Sequence, residues 1–118
     1  MSHAVTIYHN PRCSRGRETL GLLKEKGVEP EVVLYLDTPP DAAALTSLLK
    51  MLGMVSEREL MRKKEDLYQT LNLADDTLSE AALIQALVDN PKLIERPIVV
   101  SHGKARIGRP PEQVLDIL

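Results

Sequence analysis

The chain has 118 residues, enough for one domain with an apolar core and no stabilising crosslinks. Charged residues make up 27% of it and the formal net charge is −2, so no overall basic field indicates a nucleic-acid partner. Three Tyr, with no Phe or Trp, leave almost no aromatic surface for base stacking. One cysteine excludes an intramolecular disulfide, and no apolar segment is long enough for a leader or a membrane span. These features predict a cytoplasmic protein with no membrane partner.

The first third of the chain has the pattern of a β-α-β unit. A short β-branched run at 5–8 predicts a strand, and the apolar spacing of 14–26 predicts a helix that ends at Gly27. The continuous apolar run at 32–36 predicts a buried strand parallel to the first.

Short helices are predicted for the middle of the chain. Asp41 is expected to cap a helix that stops at Gly53. Two further short helices are expected around 57–62 and 79–88, with a turn at 67–71 between them.

The last third returns to strands. Runs at 97–101 and 104–108 flank His102 and Gly103, a residue pair typical of a two-residue hairpin. A proline-led helix is expected at 110–118.

Taken in order, these elements predict an α/β fold of thioredoxin-like kind. Its mixed four-stranded sheet would be built from a β-α-β half and a β-β-α half, with a helical insertion of about 41–90 between them. The whole chain, 1–118, is predicted to be a single domain.

Cys13 lies where the first predicted strand hands over to the first helix. Asn10 and the proline after it break the strand, so the thiol is expected to face the free N–H groups and positive dipole end of the helix. Nearby arginines add positive charge and are poor neighbours for a core side chain: Arg12, Arg15 and Arg17. This setting favours a nucleophilic thiolate over an inert buried cysteine.

Two familiar cysteine chemistries do not fit the spacing around Cys13. A dithiol redox motif needs a second cysteine three positions later, where the chain has Gly16. A phosphatase-type loop needs an arginine six positions later, where the chain has Thr19. If Cys13 does redox chemistry, the second thiol must therefore come from another molecule.

Three arginines suggest that the substrate is an oxyanion. Arg62 follows an apolar helical turn, Arg96 precedes Pro97 at a strand start, and Arg109 precedes Pro110 at the last helix. Guanidinium groups bind tetrahedral oxyanions such as arsenate, phosphate or sulfate through paired hydrogen bonds. Arg96 is the most natural partner of the thiolate, because the loop before the third strand faces the cysteine loop in such a fold. The alternative, a solvated surface charge, applies most readily to Arg62.

His9, four residues before Cys13, has two interpretations that the sequence leaves open. As a nearby cation it would lower the pKa of the thiol. It is equally a strand-end side chain with a backbone partner.

Five segments together resemble the glutaredoxin-coupled arsenate reductases, the ArsC-like family of the thioredoxin superfamily. They follow the family's order and spacing over essentially the whole chain: 7–14, 34–40, 60–63, 96–100 and 108–111. The length of the chain resembles the short housekeeping branch of that family.

The resemblance implies arsenic detoxification by reduction of arsenate to arsenite. A thiolate at Cys13 would form a covalent adduct with arsenate, with glutathione as co-substrate and glutaredoxin as partner. No metal and no bound cofactor are expected. The resemblance also implies a catalytic His9 and structural roles for Asn10 and a cis Pro97. The residues it implies for substrate binding are Arg62, Arg96 and Arg109.

One departure and two alternatives remain at this point. Gly16 replaces a hydroxyl residue that family members usually carry, which removes one hydrogen-bond donor to the thiolate, although the charge of Arg15 acts in the opposite direction. A glutathione-dependent oxidoreductase with another substrate is one alternative. An Spx-type transcription regulator is the other, but those proteins usually carry a two-cysteine switch that Gly16 excludes.

Overall fold

The computed structural model describes residues 5–118, which contain a four-stranded mixed sheet in the order β2-β1-β3-β4. Strand β1 pairs in parallel with β2 and antiparallel with β3, and β3 pairs antiparallel with β4. This arrangement confirms the predicted fold class. The strands are β1 (Thr6–His9), β2 (Glu31–Leu34), β3 (Ile98–Ser101) and β4 (Lys104–Ile107).

Seven helical segments accompany the sheet in the described part of the chain, and none of them is both long and apolar enough to cross a membrane. The α-helices are α1 (Ser14–Glu25), α2 (Ala42–Leu52), α3 (Asp66–Thr70) and α4 (Glu80–Asp89). The 3-10 helices are Glu57–Leu60, Pro91–Leu93 and Pro111–Ile117. The predicted turn at 67–71 is thus the short helix α3, and the predicted last helix has 3-10 geometry.

The chain divides into two compact units. The first joins the chain up to Thr38 to Arg96–Leu118 and contains the sheet, α1 and the last 3-10 helix. The second, Pro39–Glu95, contains α2, α3, α4 and the other two 3-10 helices. It begins and ends within a few residues of the predicted insertion. The single-domain organisation of the whole chain stays a prediction.

The core of the first unit lies between the sheet, α1 and the last 3-10 helix. Ile7 and Val99 are fully buried partners across β1 and β3. Burial of each such side chain contributes about 1.5–3 kcal/mol to folding. The remaining members of this core cluster are Val5, Leu23, Val114 and Ile117.

Strand β2 is parallel to β1, as predicted, but the prediction that it is buried is wrong. It is an edge strand that pairs with β1 alone, and Val32 and Leu34 are 42% and 39% exposed. It also ends at Leu34, because the carbonyl of Leu34 accepts hydrogen bonds from the N–H groups of Asp37 and Thr38 and begins a turn. An apolar run does not by itself show that both faces of a strand are covered, because burial depends on the elements that pack beside the strand.

Local capping signals set the helix ends of the second unit. The carboxylate of Asp41 accepts a 2.8 Å hydrogen bond from the N–H of Ala44, and Gly53 ends α2 with φ of 71°. Ser79 caps α4 in the same way. The cap at Asp41 and the stop at Gly53 were predicted. The fully or nearly fully buried leucines of this unit are Leu45, Leu48, Leu60, Leu83, Leu87 and Leu93.

Replacing Asp41 with Ala leaves an N–H group at the start of α2 without its acceptor. We expect the free energy of unfolding to fall by about 1 kcal/mol, as measured by urea denaturation. Asp76→Ala is the control, since Asp76 is exposed and caps no helix, and should change stability by less than about 0.5 kcal/mol. Equal losses in the two variants would contradict this account of the cap.

Candidate active site

The loop before α1 is a tight turn that holds Cys13 at the helix N-terminus. The N–H of Cys13 donates a 2.9 Å hydrogen bond to the carbonyl of Asn10. The side chain of Asn10 accepts a 3.1 Å bond from the N–H of Arg12. Cys13 has extended backbone angles and is the N-cap residue of α1. Asn10 therefore forms two hydrogen bonds within this loop, and its structural role stays a prediction.

The surroundings of the Cys13 thiol favour its ionised form. Burial by itself raises the pKa of this partly buried thiol. The backbone N–H groups of Gly16 and Arg15 and the positive charges of Arg96 and Arg109 outweigh that effect, so the pKa lies below its ordinary value. The sulfur makes no full capping hydrogen bond. The amides therefore act on it as oriented dipoles at the helix N-terminus.

The two arginine segments of the first unit are joined to each other. The Arg96–Pro97 peptide is cis, as the resemblance implied, and so is the Arg109–Pro110 peptide, which was not predicted. Nε of Arg109 donates a 2.9 Å hydrogen bond to the carbonyl of Arg96. The structure thus brings Arg96 and Arg109 together, and both charges act on the thiol of Cys13.

Gly108 allows this close approach and was missed as a site residue. A Cβ at this position would lie 2.5 Å from Oγ1 of Thr19 and 3.0 Å from Cγ of Pro97. Thr19 cannot move away easily, because it is fully buried and its hydroxyl donates to the carbonyl of Arg15. A side chain at 108 would therefore force the backbone of 108 or its neighbours Thr19 and Pro97 to shift. The Gly-Arg-Pro-Pro sequence at 108–111 was the pattern from which Gly108 could have been identified as a site residue.

His9 is buried, with 5% of its surface exposed, and its Nδ1 has no hydrogen-bond partner among residues 5–118. Burial, and then the positive charge of Arg17, lower the pKa of the imidazole. The ring is therefore expected to be neutral near pH 7. The lowered pKa argues against the interpretation of His9 as a cation that acidifies the thiol. The other interpretation, a backbone partner, does not apply to Nδ1.

The His9 ring fills the space that a side chain at position 16 would occupy. A Cβ on Gly16 would lie 2.6 Å from Nδ1 and 2.9 Å from Cε1 of His9. The N–H of Gly16 is also the largest contribution that lowers the pKa of Cys13. The thiol therefore has a backbone donor at position 16 even without a side-chain hydroxyl there, and the lack of a side chain leaves room for the His9 ring.

Arg62 lies in the second unit. Its N–H donates to the carbonyl of Leu93 at 2.7 Å, and its guanidinium contacts the carbonyl of Lys92 and forms a 3.3 Å salt bridge with Glu65. Its role in substrate binding stays a prediction. Within residues 5–118, no group of three or more His, Cys, Asp or Glu side chains is arranged to hold a metal ion.

Comparison with known proteins identifies close relatives. The ArsC family model matches residues 8–117. The protein YfgD of Escherichia coli strain K12, named as uncharacterized, is 76% identical over 118 residues and covers 100% of this chain and 99% of its own. The arsenate reductase of Haemophilus influenzae is 50% identical, covering 98% of this chain and 99% of its own. A solved arsenate reductase from Vibrio cholerae has a TM-score of 0.98 and 54% identity, with both chains covered completely.

Two glycines of α1 provide a matched test of the contact between His9 and Gly16. We expect Gly16→Ala to lower the free energy of unfolding by about 1–3 kcal/mol, because the new methyl group overlaps the imidazole. Gly21→Ala should instead raise it by about 0.5–1 kcal/mol, since nothing lies within 4 Å of its Cβ position. The measurement is urea denaturation. A gain of stability in both variants would contradict the packing described for His9.

Proposed function

Because the chain belongs to the ArsC family, we propose that it is an oxidoreductase that reduces arsenate to arsenite through Cys13, with glutathione and glutaredoxin as reductants. The observation that carries this proposal is a thiol of lowered pKa, held at a helix N-terminus beside the charges of Arg96 and Arg109. Similarity to the arsenate reductases of Haemophilus influenzae and Vibrio cholerae supports arsenate as the substrate.

The two arginines serve both reactants of the first step. Without substrate, their charges favour the thiolate of Cys13. When the oxyanion binds, they offset its negative charge, so that two anions can approach each other. The thiolate then forms a bond to arsenic, and one arsenate oxygen leaves as water after taking up protons. Oxidation state does not change in this step, because sulfur replaces oxygen on As(V).

The two electrons of the reduction come from external thiols, because Cys13 is the only cysteine of the chain. In the proposed sequence, glutathione displaces a second oxygen from arsenic as water. A glutaredoxin thiol then attacks the glutathione sulfur, giving a mixed disulfide. The sulfur–arsenic electron pair stays on arsenic, which becomes As(III), and the thiol proton goes to an arsenic oxygen. Water finally releases arsenite and restores the Cys13 thiol.

We assign His9 a positioning role in this reaction. Its neutral, buried ring packs against Gly16, whose N–H acts on the thiol. The ring thereby fixes the first turn of α1 relative to the end of β1. This role needs no positive charge on the imidazole, in agreement with its lowered pKa.

The direct test is arsenite production from arsenate by the purified chain with glutathione and glutaredoxin. We expect turnover by the wild type and none above background by Cys13→Ser, because serine is far less nucleophilic and forms no comparable bond to arsenic. Wild-type activity no higher than that of Cys13→Ser would reject the proposal. Turnover of glutathionylated substrates without arsenite production would favour the other glutathione-dependent oxidoreductase.

A pair of arginine variants tests the anion site. Arg96→Ala should raise the pKa of Cys13, move the pH profile of thiol alkylation to higher pH, and lower kcat/KM for arsenate by about 10-fold to 100-fold. Arg106→Ala is the matched control, because Arg106 lies on β4 and its charge is not among those that act on the thiol. Equal losses in the two variants would argue against the pocket.

A further inference from the structure

A cleft opens beside the cysteine loop within the first unit. It has a volume of about 340 Å³, which falls in the range of small-molecule sites. One wall is the loop segment 9–12, which leads directly into Cys13. The remaining lining residues are Leu34, Leu36 and Asp37, at the end of β2 and in the turn after it. Nothing in the proposed binding of arsenate uses this cleft.

The wall formed by β2 is apolar and uncovered. Leu34 and Leu36 are 39% and 40% exposed, although such side chains stabilise a fold only when they are buried. β2 is an edge strand, so its outer side has no neighbouring strand among the described residues. The turn hydrogen bonds from Asp37 and Thr38 to the carbonyl of Leu34 fix this wall in place.

Side chains of opposite charge line the cleft. Arg12 lies on the loop side and Asp37 on the β2 side, and both are exposed. Within residues 5–118, neither side chain forms an ion pair. A cleft with one free cation, one free anion and an apolar wall complements a small zwitterionic molecule that carries carboxylate and ammonium groups at separate ends.

We propose that this cleft binds the peptide thiol that supplies the second sulfur of the reaction, a tripeptide of the glutathione class. Its carboxylate would meet Arg12, its ammonium group Asp37, and its methylene groups Leu34 and Leu36. Its thiol would then lie toward Cys13, where it displaces water from arsenic in the step written above. This inference rests on the proposed function for its chemistry, but the binding itself is measured separately.

S-methylglutathione is the probe, because its capped thiol cannot react. We expect it to shift the amide NMR signals of residues 9, 10, 12 and 34–37 of the full chain. Its diester, which lacks the negative carboxylates, should bind more weakly.

Charge reversal tests the two contacts. Arg12→Glu and Asp37→Lys should each raise the Kd of S-methylglutathione about fivefold or more. In turnover both should raise the KM for glutathione by a larger factor than the KM for arsenate. The matched controls are Lys24→Glu and Glu25→Lys, which make the same charge changes at exposed positions in the last turn of α1 and should leave both constants unchanged.

Each outcome decides the inference. Shifts confined to other residues, or equal effects of cleft and control variants, would overturn it. Shifts in the cleft by reduced glutaredoxin together with none by the tripeptide would also overturn it, in favour of a protein partner. Binding in the cleft by a chain that produces no arsenite would reject the proposed function and keep the peptide site. Arsenite production with no tripeptide binding would reject the peptide site and keep the proposed function.

Discussion

The contact between the His9 ring and Gly16 is the constraint on which the thiolate site depends. The backbone N–H groups of Gly16 and Arg15 lower the pKa of Cys13 against the opposing effect of burial, and they do so only if the first turn of α1 is held in place. The buried ring at the end of β1 provides this support, because it fills the position of a Cβ on residue 16. The ring thus packs the end of β1 against the first turn of α1, and the charges of Arg96 and Arg109 act with the backbone N–H groups to favour the ionised sulfur.

Helix ends and turns that depend on residues close in the sequence could be predicted from the sequence. Gly27 and Gly53 end their helices with positive φ, Asp41 and Ser79 cap theirs, and His102 and Gly103 form the predicted hairpin turn with φ of 55° and 74°. The burial of β2 could not be predicted, because it depends on which elements lie beside the strand rather than on its own residues. An apolar run looks the same at the edge of a sheet as at its centre, and here it is at the edge.

The structure brings part of the predicted site together. The segments of Arg96 and Arg109 are joined through the Arg109 side chain and both charges act on Cys13, while their role in substrate binding stays a prediction. Gly16 looked like a loss, because counting side-chain donors along the sequence overlooks the backbone N–H that a helix N-terminus presents. The steric relations of Gly16 to His9 and of Gly108 to Thr19 involve residues 7 and 89 positions apart, and no spacing rule connects them before the chain is folded.

Because the chain has a single cysteine, the exposed edge of the sheet at β2 has a use in the proposed chemistry. A dithiol enzyme carries its second sulfur within the same loop, so its chemistry can be completed without a second binding site. Here that position is Gly16, which carries no second thiol. In the proposed reaction the second sulfur approaches from outside, and its path leaves the arginine side of the thiol free for the oxyanion. The exposed end of β2 and the loop that precedes Cys13 line one cleft, which offers such an approach. In the proposed function, the lack of a second thiol at position 16 therefore makes an accessible neighbouring cleft a chemical requirement.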